Sequence, residues 1–458
     1  MIELFEHQKR GVEIANEHQR FAFFWSPGTG KTMAMLSIWK QRPMRTLVVA
    51  SKSIIGTAWA KDSLLLKVPL KVVHHANRAK RLKLIEEPGD HVLVTNYEQF
   101  RAHAPLLLKS GVQRVIFDES SKLKNRKAKT SIEAHKFCDA VREVYLLSGT
   151  PSPNCPTELW SQLRCLGIRA STASFYSWAH RYFIPIMQPG RGGKQVIGRW
   201  LPKPEMVGQF NESLRPWSEA LRKEDCLDLP EQVDQMREVE LSKTEREQYD
   251  QVVEELALEV STEEGPHERV KISVAAEAVI MKLRQVVGGA VRVEGKAVEI
   301  GSSKIDAMLE ALDEIGDEPT VIWCEFRADI DRIERLLRAR GDSCGIIDGR
   351  TSHNVAAIVD DFREGKTNRI IAHPKAAGHG TDGLQKVCRY AIYFGLSFSA
   401  EEHEQSRDRL HRSGQKSNVT YVYLIAKKTI DESLYWIVKK KQTKQRALLQ
   451  ELRKGVHA

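Results

Sequence analysis

Lys31 and Thr32 end a short glycine-rich stretch, Pro27-Gly28-Thr29-Gly30. It follows the apolar run Phe21–Trp25 and precedes a helix-like segment, MAMLSIW at 33–39. A turn of this kind needs glycine so that backbone N–H groups can wrap phosphate oxygens, and the following helix adds partial positive charge from its N-terminus. Lys31 then reaches the β- and γ-phosphates, and the Thr32 hydroxyl binds Mg²⁺. Strict phosphate-loop spacing asks for glycine at position 25, where Trp25 stands. The metal and the attacking water need further groups, and Asp118 and Glu119 supply them directly after the apolar run Val115-Ile116-Phe117. In a doubly wound sheet the carboxyl ends of the strands collect at the ligand crevice. There Asp118 holds Mg²⁺ through water, and Glu119 acts as base or orients the water.

A second group lies far along the chain. Gln405, Arg409 and Arg412 are spaced i, i+4, i+7, which predicts one face of a helix. Arginine is suited to charge spread over γ-phosphate oxygens because its fork is planar and always charged. Two such arginines from a second lobe make hydrolysis depend on lobe closure. The run KLKNRKAK at 122–129 holds five basic residues and no acid. Lys122, Lys124, Arg126 and Lys127 there either touch phosphates or form a solvated face. No interleaving of aromatic and basic residues marks a separate single-strand platform.

These groups need a scaffold, and strand-sized apolar runs provide it. They are FAFFW, TLVVA, HVLVT, VIF and VYLLS in the first half, then TVIWC, CGIID, RIIAH, YAIYF and VTYVYLI in the second. Several show no alternation, as expected of strands buried on both faces. Amphipathic stretches separate them, such as 329–341, ending in the helix stop Gly341. Strand–helix alternation twice over predicts two parallel α/β sheets. The middle, about 155–300, lacks it and predicts helices, one over 242–260 with Ser242 as N-cap.

Composition narrows the class. The chain has 458 residues, 41% hydrophobic and 28% charged, which excludes a largely disordered or fibrous protein. The longest apolar run, Tyr421–Ala426, is far too short to span a bilayer, and the N-terminus does not read as a signal peptide. Seventy Lys and Arg against sixty Asp and Glu leave a net +10, which favours a polyanionic partner. Residues 427–458 alone carry nine basic and three acidic side chains. The seven cysteines include no C-x-x-C pair, which argues against a zinc ribbon and a disulfide framework and fits a reducing compartment.

Several segments, in order, resemble the superfamily 2 DNA helicases and translocases in their Swi/Snf-like form, and the resemblance covers nearly the whole chain. DESSKLKN (118–125) is similar to the DEAH-type box. LFEHQKRGV (4–12) resembles the glutamine motif, LVVASKSIIGTAWAKD (47–62) the segment after the first crossover helix, and TNYEQFR (95–101) the T-x-Y-E segment. LLSGTPSPNCPTELWSQLR (146–164) resembles the S/T-G-T-P motif, LRKEDCLDLP (221–230) the close of the first half, and SSKIDAMLEAL (302–312) the opening of the second. QSRDRLHRSGQ (405–415) matches the specific Q-x-x-x-R-x-x-R-x-G-Q signature. The loop AGHGTDGLQ (377–385) departs from the family's A-G-G/H-G-L-N-L, with Thr381-Asp382-Gly383 in place of Leu-Asn, one residue longer.

The resemblance implies two RecA-like α/β lobes with parallel sheets, joined by a mostly helical insertion. The first spans 1–220, with a helical extension from about 155; the linker spans 221–300 and the second lobe 301–458. ATP and Mg²⁺ are the implied cofactors, with Gln8 reading adenine. Ser148, Gly149 and Thr150 with Gly378, Gly380 and Asp382 are implied to couple nucleotide to nucleic acid. Lys52, Asn96, Tyr97, Lys122 and Lys124 are implied DNA contacts. The expected activity is DNA-stimulated ATP hydrolysis driving sequence-independent movement along DNA, duplex preferred, of the minimal bacterial or bacteriophage kind. A protein loading factor and a cytoplasmic location, the host's for a viral protein, complete the expectation, with no role for a membrane. The alternatives are a strand-separating helicase on the same lobes and an ATP-gated DNA clamp without turnover. A packaging motor would need a nuclease domain with clustered acids, where the second half instead carries these motifs.

Overall fold

The apolar runs form strands because their side chains are covered on both faces. In the computed structural model, which describes residues 3–73, 77–168, 174–189, 194–261, 268–293, 296–351, 353–377 and 381–453, successive residues of each central strand enter opposite cores. In strand β1 (Arg20–Trp25), Ala22 and Phe24 join one cluster with Leu47, Leu93, Val115 and Leu146; Phe21, Phe23 and Trp25 join the other with Val48, Ile116 and Tyr145. The other strands of this region are β2 (Thr46–Ala50), β3 (Leu70–Val72), β4 (Val92–Asn96), β5 (Arg114–Asp118), β6 (Glu143–Leu147), β7 (Phe183–Pro189), β8 (Gln195–Pro202) and β9 (Ser218–Leu221). Seven of them make a parallel sheet in the order β3-β4-β2-β5-β6-β1-β9, and β7 and β8 pair separately.

The second sheet is built likewise. Strands β10 (Gln232–Val239), β13 (Thr320–Trp323), β14 (Cys344–Ile347), β15 (Arg369–Ala372), β16 (Tyr390–Tyr393) and β17 (Val419–Ala426) pair in parallel in the order β10-β17-β16-β13-β15-β14. Strands β11 (Ala290–Val293) and β12 (Lys296–Glu299) form an antiparallel pair. Both sheets answer the expectation of two α/β halves.

Two compact units result: Met1–Met187 with Ile197–Asp228 and Thr443–Ala458, and Gln188–Val196 with Leu229–Gln442. The middle of the chain does carry long helices, Lys243–Ser261 and Glu268–Gly288. Ser242 caps the first: its hydroxyl accepts from the Glu245 N–H at 3.3 Å while the Glu245 carboxylate accepts from the Ser242 N–H at 2.9 Å. The same region also yields β9 and β10, edge strands with little hydrophobic signature. Five of the eight β10 residues are exposed or half-exposed polar groups. The amphipathic stretch beginning near 329 forms the helix Arg327–Arg340 and ends on Gly341 at φ 96°, a left-handed stop that favours glycine.

Candidate functional site

Strand register sets the first half of the site. Leu147 of β6 pairs with Phe23 of β1 on one side and with Asp118 of β5 on the other. The loops after β1, β5 and β6 therefore leave one carboxyl edge side by side. These are the glycine-rich loop, the Asp118-Glu119 turn and the Ser148-Gly149-Thr150 turn.

The glycine-rich loop begins only after Trp25, which is the last residue of β1 and fully buried. Its indole N–H donates to Glu219 at 2.8 Å, and Gly11 leaves room for its ring. Tryptophan at position 25 is thus strand core, and the phosphate-loop turn runs through Pro27, Gly28, Thr29 and Gly30. Gly28 and Gly30 have φ of 86° and 77°, and the helix Lys31–Gln41 starts directly after. Lys31 Nζ donates to the carbonyls of Trp25 at 2.7 Å and Ser26 at 3.3 Å. The Thr29 hydroxyl donates to the Ser26 carbonyl at 2.9 Å, and Thr32 stands in the first helical turn. Gln8, from the helix Glu6–Glu17, is buried against this loop. Its amide donates to the Thr29 and Gly30 carbonyls at 3.2 and 3.4 Å and accepts from the Phe5 N–H at 3.0 Å.

Asp118 is buried at the end of β5, where its carboxylate accepts from the Trp59 indole at 2.8 Å and the Glu119 N–H at 3.0 Å. Burial pushes its carboxyl up, opposed by the charge of Lys31, the bonds from Trp59 and Glu119, and the charge of Lys122. Glu119 adopts φ 57°, a left-handed conformation uncommon for a residue with a side chain. Such strain persists only where the surroundings enforce it. Tyr97 does so from beneath: its hydroxyl reaches the carbonyls of Asp118 at 2.8 Å and Glu119 at 3.2 Å.

Tyr97 and Asn96, both expected to contact DNA, are buried. The Asn96 side-chain Oδ1 accepts from the Gln99 N–H at 2.8 Å and caps the helix Tyr97–Lys109. Lys52 and Lys122 are exposed, Lys124 is half-buried, and the Lys122 ammonium donates to the Ser51 hydroxyl at 2.7 Å.

The Ser148-Gly149-Thr150 turn touches both neighbours. Ser148 and Thr150 are buried, and the Thr150 N–H donates to the Ser148 hydroxyl at 3.1 Å. A methyl group on Gly149 would lie 2.6 Å from Pro27 Cδ, so the turn packs directly on the phosphate loop. Gln162 makes the other link. Its amide donates to the Pro151 carbonyl at 2.6 Å and accepts from the Ser120 hydroxyl at 2.7 Å. Trp59 and Gln162 are the site residues that motif reading missed. Both lie inside segments already singled out, but their partners are distant in sequence.

In the second unit, the expected helical face is corrected. The helix Ala400–Asp408 carries Gln405 but stops before Arg412, with Arg409 as its capping residue. Leu410 is drawn into the core, the His411 ring bonds the Pro230 carbonyl at 2.7 Å, and the Gln415 amide donates to the Cys388 and Leu410 carbonyls at 2.9 and 3.1 Å. These tertiary anchors outweigh another helical turn. The two arginines still converge, because Arg412 forms an ion pair with Asp382 and Arg409 lies 3.8 Å from the same oxygen. Asp382 belongs to the loop that departs from the family pattern. Thr381 is buried with its hydroxyl on the Ala377 carbonyl at 2.9 Å, and the Gln385 amide donates to the Ser413 carbonyl at 3.2 Å. Gly378 and Gly380 lie outside the described residues.

Arg407 anchors the arginine-bearing segment from below. It stacks 3.9 Å from the Tyr421 ring, bonds the Tyr423 hydroxyl at 2.6 Å and Gln232 at 2.8 Å, and pairs with Asp234 of β10.

Lys304 of the S-x-K segment is buried and paired with Asp431. Next to it, burial pushes the Asp329 carboxyl up to about 7, against the attraction of Lys304, Arg332 and Arg284 and with added repulsion from Asp431. The folded chain therefore keeps this proton to about pH 7, whereas an unfolded chain releases it near pH 4. Stability is expected to fall as pH rises through that window, by on the order of a few kcal/mol, and to level off above it. Urea unfolding across the window checks this, and Asp329→Asn should flatten the profile. An unchanged slope in the variant would assign the pH dependence to another group.

Among the described residues, all seven cysteines are free, no His/Cys/Asp/Glu group is arranged to hold a metal, and no helix is long and apolar enough to cross a membrane.

The SNF2-related domain matches residues 7–288, and the helicase conserved C-terminal domain matches residues 303–414. Protein p41 of Acyrthosiphon pisum secondary endosymbiont phage 1 is 25% identical, over 92% of this chain and 91% of its own length. The SWI/SNF-related matrix-associated actin-dependent regulator of chromatin subfamily A-like protein 1 of Drosophila melanogaster is 27% identical over 94% of this chain, which spans 54% of the fly protein. The Caenorhabditis elegans homolog is 26% identical, and the chain spans 61% of it. A solved structure, the Sulfolobus solfataricus SWI2/SNF2 ATPase core in complex with dsDNA, is similar at 18% identity over 99% of this chain and 94% of that one, with a TM-score of 0.43. The first domain match alone covers well over half of the residues, and the loops that it includes are those that meet at the carboxyl edge of the first sheet. The chain therefore belongs to the SNF2-related family of ATP-dependent helicases and translocases and is an ATP-hydrolysing enzyme.

Proposed function

We propose that the chain couples ATP hydrolysis to movement along duplex DNA. The observation that carries this reading is the junction at the first sheet's carboxyl edge, where Gly149 packs on Pro27 and Gln162 ties Pro151 to Ser120. A shift at the phosphates is thereby passed to the Ser148-Gly149-Thr150 turn and to the basic run that begins at Lys122. In this reading Lys31 holds the β- and γ-phosphates and Glu119 orients the attacking water. Arg409 and Arg412 stabilise charge on the transferred phosphoryl group, with Gln405 beside them. Gln8 stands against the loop where a purine edge is read.

Mg²⁺ fits the donors present. Asp118 is a carboxylate whose ionised form burial disfavours, and Thr32 offers a hydroxyl in the first turn of the phosphate-loop helix. Magnesium takes few protein oxygens and completes its shell with water and phosphate. Bound there, it neutralises phosphate charge. The protein's part is to keep Asp118 oriented through Trp59 and the Glu119 N–H.

The net charge of +10 supports backbone contact with DNA, independent of sequence and sensitive to salt. The expected result is ATPase stimulation by duplex, ATP-dependent displacement of a third strand from a triplex, and little unwinding of a fork. Efficient separation of a forked duplex with no triplex activity would replace this reading with a strand-separating helicase. DNA binding with no turnover would leave an ATP-gated clamp.

A further inference from the structure

Arg126 is separated by almost fifty residues from the aromatic side chains that hold it. Its guanidinium lies 4.0 Å from the centre of the Phe175 ring and 5.3 Å from that of Tyr176. Phe175 is itself fixed edge-on by Trp160 at 5.7 Å and Trp200 at 5.9 Å. Tyr176 is half exposed, so the stack stands at the surface. Beside it is a cavity of about 230 Å³ walled by Lys124, Asn125, Arg126, Lys127, Trp160 and Phe175. Glu158 also lines it, but its two carboxylate oxygens accept from the Asn154 N–H at 3.1 Å and the Asn154 amide at 2.8 Å.

A guanidinium stacked on a ring keeps its in-plane N–H donors free while losing its rotational freedom. Arg126 has no carboxylate partner among the described residues, in contrast to Arg164, Arg350 and Arg389, each of which is paired with one. A fixed, unpaired fork in a basic cleft is matched to a tetrahedral anion. The surrounding run at 122–129 has five basic residues and no acid, and it leaves the turn that carries Asp118 and Glu119.

We propose that this cleft is a phosphate-binding site that takes a phosphodiester of a nucleic-acid strand. It gives the first unit a DNA contact at Arg126, the residue that follows the segment 118–125. The proposal rests on the DNA-acting reading above, and it states which surface makes the contact. Arg126 supplies the fork, Phe175 and Tyr176 hold it flat, and Lys127 adds charge at the rim.

The test is equilibrium binding of a fluorescent duplex to the full chain over a salt series without nucleotide. Arg126→Gln is expected to lower the slope of log affinity against log salt by about one, the loss of one phosphate contact. Arg126→Lys should keep the wild-type slope with weaker binding, because the charge remains and the planar fork is lost. Tyr176→Ala, at an exposed position, should weaken binding with the slope retained, which guards against misfolding of an Arg126 variant. A wild-type slope in Arg126→Gln would overturn the site while leaving the DNA-acting reading intact. Absence of any duplex binding by the wild type would overturn both. Inorganic phosphate bound by the wild type but not by Arg126→Gln, with equal DNA slopes, would overturn the strand contact in favour of a free-anion site. Arg126-dependent binding of a polyglutamate peptide, again with equal DNA slopes, would assign the cleft to an acidic protein segment.

Discussion

Glu119→Gln is expected to bind ATP and fail to hydrolyse it, with kcat lowered by about 10²–10⁴, the usual contribution of a positioned general base. The amide matches the carboxylate in size, so the left-handed backbone at φ 57° and its hydroxyl clamp from Tyr97 should persist. Asp118 and Lys31 are untouched, so the groups proposed to hold metal and phosphates remain. Lys31→Ala is the contrasting variant. It removes the positive charge at the β- and γ-phosphates and also the two bonds that draw the lysine across the Trp25 and Ser26 carbonyls. Hydrolysis should be abolished and ATP binding weakened together. Nucleotide binding measured beside steady-state turnover separates the pair. Wild-type turnover by Glu119→Gln would pass the water-orienting role to another group.

Arg412→Ala or Arg409→Ala is expected to lower kcat by roughly 10³, about 4 kcal/mol of transition-state stabilisation, with ATP binding changed far less. The structure adds a control. Both arginines converge on Asp382, so each has an ion-pair role as well as a proposed catalytic one. Asp382→Asn removes the pairing and leaves the arginines in place. If the arginines act on the phosphoryl group, turnover in Asp382→Asn should stay well above that of either arginine variant. Equal losses in all three would reduce the arginines to partners of that loop, and near-normal turnover in both arginine variants would remove them from the chemistry.

Much of the site was legible in the residues because its signals are local. A glycine turn between a buried strand and a helix shows in a dozen consecutive residues, and the Asp118-Glu119 pair shows because a wholly apolar strand ends on it. The central strands were legible for the same reason: burial on both faces leaves unbroken runs such as TLVVA and RIIAH, and both are strands. The edge strands β9 and β10 were not: β10 is largely exposed and keeps polar residues, and β9 is a buried four-residue segment, SEAL, whose Glu219 is held by Trp25 and Arg10 rather than by an apolar pattern. In β10, Asp234 is held by Arg407 and Lys439, and Arg237 by Glu314, so partners far along the chain stabilise a segment with no hydrophobic pattern.

Helical spacing also misled at Arg412. The i, i+4, i+7 pattern assumes that nothing stronger competes for the backbone, whereas burial of Leu410 and the bonds of His411 and Gln415 turn the chain after Asp408. Asn96 and Tyr97 stand in a segment that resembles a known motif, yet their side chains point inward to cap a helix and to clamp the Asp118-Glu119 turn. Residue types and short spacings by themselves determined which side chains are proposed for the chemistry of this chain: Lys31 for the phosphates, Asp118 for the metal, Glu119 for the water and the two arginines for the phosphoryl group. Only the tertiary structure decided which loops share an edge, through the pairing of Leu147 with both Phe23 and Asp118. It alone set Gly149 on Pro27, Asp382 between two arginines and Arg126 against Phe175. Contacts of that kind depend on sheet register and packing between distant segments, which no local pattern encodes.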